Sequence, residues 1–159
     1  MFCDLPICMI ALTLTAALSL SQLSALEAAG RAAEPYGLAE TFQAIVFQES
    51  SLCLHKVGAH GELGCAQIKL ATAQEIAPDA TAHRLLNDNA YNLRIGAAIL
   101  DRCMHRFRTI PRAVVCYNTG RGAVAVDGTG KGYTTAQAKL HPYYRKIRQR
   151  MAEIRVLTE

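Results

Sequence analysis

Apolar residues recur at helical spacing from Leu38 onwards. Leu38, Phe42 and Ile45 are separated by four and three residues, and the next position on that face, four residues further on, is Glu49. Spacings of three and four residues place side chains on one face of an α-helix. The pattern therefore predicts a helix whose apolar face ends in a carboxylate.

A longer amphipathic helix is predicted further along the chain. Its apolar face is formed by Ala90, Leu93, Ala97, Leu100, Met104 and Phe107. Residues 50–68 contain three glycines and no sustained periodicity, which predicts a long loop. Short helices are predicted over residues 71–76 and 112–118, and a last helix has apolar residues between 140 and 154. No strand pattern emerges, so the predicted fold class is mainly α.

The N-terminal segment differs from the rest of the chain. Residues 7–26 carry no charge, and their central part, residues 7–20, has about the length of the apolar region of a signal peptide. We expect residues 1–30 to be a signal peptide or an N-terminal membrane anchor, and residues 31–159 to be one compact domain. The expected localisation is the periplasm.

Composition and charge narrow the function classes. The 159 residues include 51% hydrophobic and 19% charged residues, a normal composition that excludes disordered and low-complexity classes. Without residues 1–30 the chain keeps 17 basic and 11 acidic residues, a net charge of +6. Such a chain is attracted to polyanions, but no nucleic-acid-binding motif accompanies the charge, so a nucleic-acid partner is not expected.

Four cysteines remain after the leader: Cys53, Cys65, Cys103 and Cys116. An even number in a small exported domain favours two disulfides, for which three pairings exist. We expect the two local pairs, because Cys53 and Cys65 flank one loop and Cys103 and Cys116 flank one bend between helices. A zinc site formed by Cys53, His55, His60 and Cys65 is the competing interpretation, but the spacing matches no common zinc motif. No metal is therefore expected.

Glu49 is the strongest candidate for chemistry. A carboxylate at the end of a buried stripe loses solvation, which favours its neutral form and lets it act as an acid near neutral pH. A glycosidase needs such an acid to protonate the leaving oxygen. The alternative is a glutamate at a helix end that bends into solvent.

Three motifs give the sequence a family resemblance. Glu49-Ser50-Ser51, Gly61-x-x-Gly64-x-x-Gln67-Ile68 and Tyr117-Asn118-Thr119-Gly120 resemble, in order and spacing, the signatures of soluble lytic transglycosylases. Asn92-Leu93-x-x-Gly96-x-x-x-Leu100 is similar to a further conserved helix of these goose-lysozyme-like enzymes. The resemblance spans roughly residues 36–145 and implies a lysozyme-like fold.

The resemblance also implies a reaction. Glu49 would protonate the β-1,4 glycosidic oxygen between N-acetylmuramic acid and N-acetylglucosamine, then deprotonate the muramoyl C6 hydroxyl, which closes a 1,6-anhydro ring. An internal nucleophile needs no second carboxylate. Glu62 lies between the two motif glycines at a position that varies in the family, and we expect it to face solvent. No cofactor is implied.

The remaining site residues take their expected roles from the same resemblance. Ser50 and Gln67 would bind or orient substrate, Tyr117 would hydrogen-bond the Glu49 carboxyl, and Asn118 would brace the site. Gly61 and Gly64 would let the loop turn tightly beside the glycan.

The expected partner is therefore the glycan strand of peptidoglycan. Compact relatives open the wall locally for secretion, conjugation or pilus machines, so components of such an apparatus are expected further partners. Membrane contact is expected only through an uncleaved N-terminal segment. Two alternatives stay open: a muramidase that hydrolyses the bond with water, and a non-catalytic glycan-binding or assembly component on the same fold.

Overall fold

The structure, a computed structural model, describes residues 18–120 and 132–158. Within these ranges the chain forms eight α-helices and no strand, only two isolated β-bridges. The helices are α1 (Leu20–Ala33), α2 (Ala39–Ser50), α3 (Leu70–Gln74), α4 (Ala82–Asn87), α5 (Asn89–Phe107), α6 (Ile110–Thr119), α7 (Thr135–Leu140) and α8 (Pro142–Thr158). A short 3-10 helix, Glu34–Tyr36, joins α1 to α2. The predicted mainly α fold is confirmed.

Helix α2 is the centre of the fold. It packs against α1 on one side and against α8 on another. Phe42, Ile45 and Val46 are fully buried, and Leu38, the residue before the helix, is nearly so. The apolar face predicted from the sequence is therefore the side of α2 that packs into the core.

Helix α1 crosses the expected boundary between leader and domain at residue 30. Its N-terminus is closed by a capping box between Ser19 and Gln22, and Leu26 and Ala29 are buried against the domain. Residues 20–30 thus supply part of the core. The removal of a leader remains a prediction, and residues 1–17 of that leader lie outside the described ranges. Among the described helices, none has the length and apolar character needed to span a membrane.

The other predicted helices are present, with one difference in the last of them. Helix α5 is capped by Asp88, whose carboxylate accepts the Tyr91 N–H at 2.9 Å. The last predicted helix is two helices, α7 and α8, separated at His141. Leu140, placed by its spacing on the apolar face, is 75% exposed because it ends α7 instead of continuing into α8.

Candidate active site

Glu49 lies in the last turn of α2, at the edge of the core. The helix ends directly after it, because Ser51, Leu52 and Cys53 have φ angles of 51°, 59° and 70°. This left-handed run cannot continue an α-helix. The chain therefore turns away and leaves the half-buried Glu49 side chain at the end of the buried face, as the sequence pattern predicted.

The protonation of Glu49 is set by opposing effects. Burial raises the pKa of its carboxyl, a hydrogen bond donated by Tyr143 lowers it, and the negative charge of Glu62 raises it. The net direction is upward, so the neutral form is favoured relative to a solvated glutamate. Glu49 is thus suited to give a proton.

The tyrosine that contacts Glu49 is Tyr143 on α8. Its hydroxyl donates to Glu49 Oε1. Burial, followed by the charge of Glu49, raises the pKa of Tyr143 well above its usual value, so the phenol stays protonated and acts as the donor. The sequence analysis gave Tyr143 no site role. The signal that could have found it is a hydroxyl-bearing side chain on the helix that packs against α2.

The expected hydrogen bond from Tyr117 to Glu49 is wrong. The Tyr117 hydroxyl instead donates to the backbone oxygen of Ala66 at 2.8 Å, and its ring packs edge-on against Phe42. Burial and the nearby Glu49 charge raise the pKa of Tyr117 well above its usual value. Tyr117 is thus near Glu49, but its hydrogen bond to Ala66 holds the loop that carries Gln67.

Ser50 is an internal brace. It is 1% exposed, its hydroxyl donates to Cys65 O at 2.7 Å, and its oxygen accepts the Cys53 N–H at 2.9 Å. These bonds are the hydrogen bonding expected at the C-terminus of a helix, and a role of Ser50 towards the substrate stays a prediction. The serine ties the end of α2 to the loop that follows.

Helix α5 holds the loop over residues 51–68 in place. Asn92, which is fully buried, accepts the Ala66 N–H at 2.8 Å and donates to Leu63 O at 2.9 Å. Gly64 has a φ of 75°, and a Cβ atom there would collide with the Asn92 amide. Gly61, with a φ of 81°, likewise sits in a conformation that favours glycine. Both glycines therefore shape tight turns, as expected.

Two disulfides stiffen these elements. They join Cys53 to Cys65 and Cys103 to Cys116, the two expected local pairs. The first bridge closes the loop after α2, and the second ties α5 to α6 one residue before Tyr117. Because Cys53 and Cys65 are bonded to each other, the thiolates required for the alternative zinc site are absent, and no group of three or more potential metal ligands occurs among the described residues.

A cleft of about 590 Å³ lies beside Glu49. Its lining includes Glu62, Gln67, Lys69, Tyr117 and Asn118. Glu49 is not itself one of the lining residues. Its neighbour Ser50 hydrogen-bonds to Cys65 and Tyr117 hydrogen-bonds to Ala66, the two residues before Gln67, which brings the end of α2 close to the cleft wall. The predicted residues from all three motifs therefore meet at one site.

Gln67 and Asn118 both line the cleft, but within the part of the chain that the structure describes only the Gln67 side chain is fixed by hydrogen bonds to the protein. The Gln67 amide donates to Gly64 O at 2.8 Å and to His55 O at 3.3 Å, which fixes its orientation. Asn118 is exposed on the cleft wall, and among the described residues it shows no hydrogen bond to Glu49 or Tyr117, so its bracing role stays a prediction.

Glu62 is not the freely solvated side chain that the sequence suggested. Its side chain is 23% exposed, its Oε2 accepts the His60 N–H at 3.0 Å, and Lys69 Nζ lies 3.7 Å from its Oε1. The carboxylate is therefore held in place at the cleft, because the backbone of the loop and Lys69 both fix it.

The comparison with family models agrees with this site. Residues 27–139 match the model of the transglycosylase SLT domain. The chain belongs to this family. Searches of the curated proteins and of the solved structures each gave no significant match. The matched range contains the SLT motifs around Glu49, Gln67 and Tyr117 and ends four residues before Tyr143. The family also agrees with the predicted lysozyme-like fold and with peptidoglycan as the substrate class.

Proposed function

We propose that this SLT-domain chain is a lytic transglycosylase that cleaves the β-1,4 bond between N-acetylmuramic acid and N-acetylglucosamine and leaves 1,6-anhydromuramoyl ends. The observation that carries the proposal is the environment of Glu49. A half-buried carboxyl with a raised pKa lies beside a cleft whose wall carries amide groups. Cleavage of a sugar–sugar bond needs a proton donor at such a place.

In the first step Glu49 gives its proton to the leaving oxygen. The bond from the muramoyl C1 to that oxygen breaks, and positive charge develops at C1. The Glu49 carboxylate that remains keeps the hydrogen bond from Tyr143, which favours the ionised form. The residue is thereby stabilised in both of the states that it must occupy.

In the second step the same carboxylate acts as the base. It takes the proton of the C6 hydroxyl, whose oxygen forms the bond to C1 and closes the anhydro ring. Glu49 is protonated again and no water is consumed. Because the nucleophile belongs to the reacting sugar, its effective concentration is high.

Amide groups on the wall suit the recognition of N-acetyl sugars. Asn118 is exposed to the cleft. The NH2 group of Gln67 is held by the backbone oxygens of Gly64 and His55, which leaves its side-chain oxygen as an acceptor in a fixed orientation.

The lining carries three cations, Lys69, Arg102 and Arg106. It also carries two carboxylates, Glu62 and Glu75, which pair with Lys69 and Arg102. The remaining positive charge suits a substrate that carries the carboxylates of the muramoyl lactyl group and its peptide stem.

The test of the function is mass spectrometry of the fragments that the purified oxidised protein releases from peptidoglycan. Anhydromuramoyl products, one water lighter than hydrolytic products, are expected from the natural protein and not from the Glu49→Gln variant. If a folded protein releases nothing, the non-catalytic glycan-binding function becomes the better explanation.

The hydrogen bond from Tyr143 leads to a prediction about pH. Tyr143→Phe removes a contact that favours the ionised carboxylate, so the pKa of Glu49 should rise further and the alkaline side of the pH–activity profile should move to higher pH. We also expect the rate to fall on the order of tenfold, since the carboxyl loses its orientation. The profile of glycan release against pH measures both effects.

The matched control for this prediction is Tyr144→Phe. Tyr144 is the next residue on α8 and is 9% exposed, but it has no hydrogen bond to Glu49. It should leave the profile unchanged. A Tyr143→Phe variant whose alkaline limb stays in place or moves to lower pH would contradict the role assigned to this contact.

Export to the periplasm and local wall opening are further parts of the proposal. Residues 7–26 support export, and the resemblance supports service to a secretion, conjugation or pilus apparatus. If the chain serves such a machine, cells without it should fail to assemble the apparatus while their growth stays normal. Expression of the natural chain in these cells should restore assembly, and expression of the Glu49→Gln variant should not.

The packing of α1 limits where a leader can be removed. Since Ser19 caps α1 and Leu26 is buried, we expect the mature chain to begin at or before Ser19 and not near residue 30. The intact mass of the protein recovered from the periplasm measures the start directly. A mature chain that begins between residues 26 and 31 would contradict this expectation.

A further inference from the structure

Glu62 and Gln67 share one part of the cleft wall. Both side chains lie over the backbone of Gly58, where a Cβ atom would collide with the carboxylate of one and the amide of the other. Both residues also line the cleft. Because Gly58 has no side chain, the Glu62 carboxylate can lie beside the Gln67 amide.

The surroundings of Glu62 keep it ionised. Burial raises the pKa of its carboxyl, but hydrogen bonds from the backbone N–H groups of Glu62 and His60 and the charge of Lys69 outweigh burial, and the pKa is lowered. With 23% of the side chain exposed, solvent reaches the carboxylate. An ionised carboxylate in contact with water can activate a water molecule, as the second carboxylate of an inverting glycosidase does.

Glu49 and Glu62 have opposite protonation preferences at one cleft. Glu62 lines the cleft together with Gln67 and Tyr117. Its charge is one of the causes that raise the pKa of Glu49, so the two carboxyls lie within electrostatic reach of each other. Two carboxyl groups whose environments favour opposite states form an acid and base pair. A hydrolase that cuts with inversion uses such a pair, with space for a water molecule between the two groups.

We propose that Glu62 gives this protein a second, hydrolytic activity, in which its carboxylate activates a water molecule against the same muramoyl C1. The proposal rests on the proposed function in one respect, since Glu49 must protonate the leaving oxygen in both reactions. It assigns a role to a residue at a variable position of the family motif.

The hydrolytic step balances without a cofactor. The water oxygen forms the bond to C1, one water proton passes to Glu62, and the bond from C1 to the leaving oxygen breaks. That oxygen takes the proton of Glu49. Glu62 then loses its proton to solvent and Glu49 regains one. The product carries a reducing end in place of an anhydro ring.

The two nucleophiles compete for one carbon. The C6 hydroxyl is held within the substrate and has the higher effective concentration, so we expect reducing ends to be the smaller fraction, on the order of a tenth of all new ends. The ratio of the two products therefore reports on Glu62, whereas their sum reports on Glu49.

The experiment is the same peptidoglycan digestion with the products reduced by borohydride before mass spectrometry. Borohydride converts reducing ends to alditols and leaves anhydro ends unchanged, so both are counted in one sample. Glu62→Gln should lower the ratio of reducing ends to anhydro ends at least about tenfold, whatever it does to the total through the pKa of Glu49. Glu62→Asp, which keeps the carboxylate, should retain part of the reducing ends.

Glu34→Gln is the matched control, because Glu34 is exposed and lies on the 3-10 helix between α1 and α2. It should leave both products unchanged. Reducing ends that are absent from the natural protein, or equally abundant with Glu62→Gln, overturn the proposal. Reducing ends that depend on Glu62 without any anhydro ends support it and overturn the transglycosylase function. A folded protein that releases no product overturns both.

Discussion

Replacement of Glu49 by glutamine is expected to lower glycan release by at least about 1,000-fold. Glutamine has nearly the same shape, but it can neither give a proton to the leaving oxygen nor take one from the C6 hydroxyl. The same substitution thus removes both proton transfers of the proposed reaction. The initial rate of fragment release from purified peptidoglycan measures the loss.

The variant should not be less stable than the natural protein. Because the pKa of Glu49 is raised in the folded state, this residue favours folding at low pH, and its contribution is lost as the pH rises through the folded pKa. A neutral glutamine avoids that loss. The Tm of Glu49→Gln minus that of the natural protein should therefore be larger at about pH 8 than at about pH 4.

Glu34→Gln again serves as the control, since it removes an exposed carboxylate that does not line the cleft. It should keep full activity and show no comparable change of Tm with pH. Activity of Glu49→Gln above about a tenth of the natural rate would show that another group supplies the proton.

The sequence predicted the parts of the site that depend on local spacing. The stripe of Leu38, Phe42 and Ile45 placed Glu49 at the end of a buried helix face, and the motifs placed Gln67 beside it. The pairing of the four cysteines also followed from their positions around two bends. In each case the partner residues are close in the chain or joined by a short loop, so the pattern alone constrains them.

Contacts between distant elements could not be predicted in the same way. Tyr143 reaches Glu49 across 94 positions of the chain, and only the packing of α8 on α2 shows that its hydroxyl points there. Tyr117 occupied the expected neighbourhood but has a different acceptor. Glu62 was expected to face solvent, because its position between two glycines does not show which residues the folded loop brings next to it.

The N-terminal helix shows why an apolar pattern can have two meanings. The uncharged run that continues to Leu26 has the composition of an export signal, but from residue 20 onwards it is also a helix that buries one face in a domain. Both uses require apolar residues without charge. Only the contacts of α1 with α2 and α5 separate them.

A chain that begins at residue 31 is therefore expected to lose at least about 4 kcal/mol of its free energy of unfolding, compared with a chain that begins at Ser19. The truncation removes buried Leu26, Ala25 and Ala29. It also removes the hydrogen bonds from Gln22 to Ser51 O at 3.2 Å and from Gln43 to Leu26 O at 3.0 Å. Since α1 covers α2, the helix that carries Glu49 should lose its support and the activity should fall together with stability.

Urea unfolding of the two chains measures this difference, and Leu26→Ala in the longer chain provides a graded comparison. That variant should cost about 2–4 kcal/mol, because it leaves a cavity between α1 and the core. A chain from residue 31 that unfolds cooperatively at the same urea concentration as the longer chain would place α1 outside the stable domain. In that case removal of the leader near residue 30 would leave the Glu49 site intact.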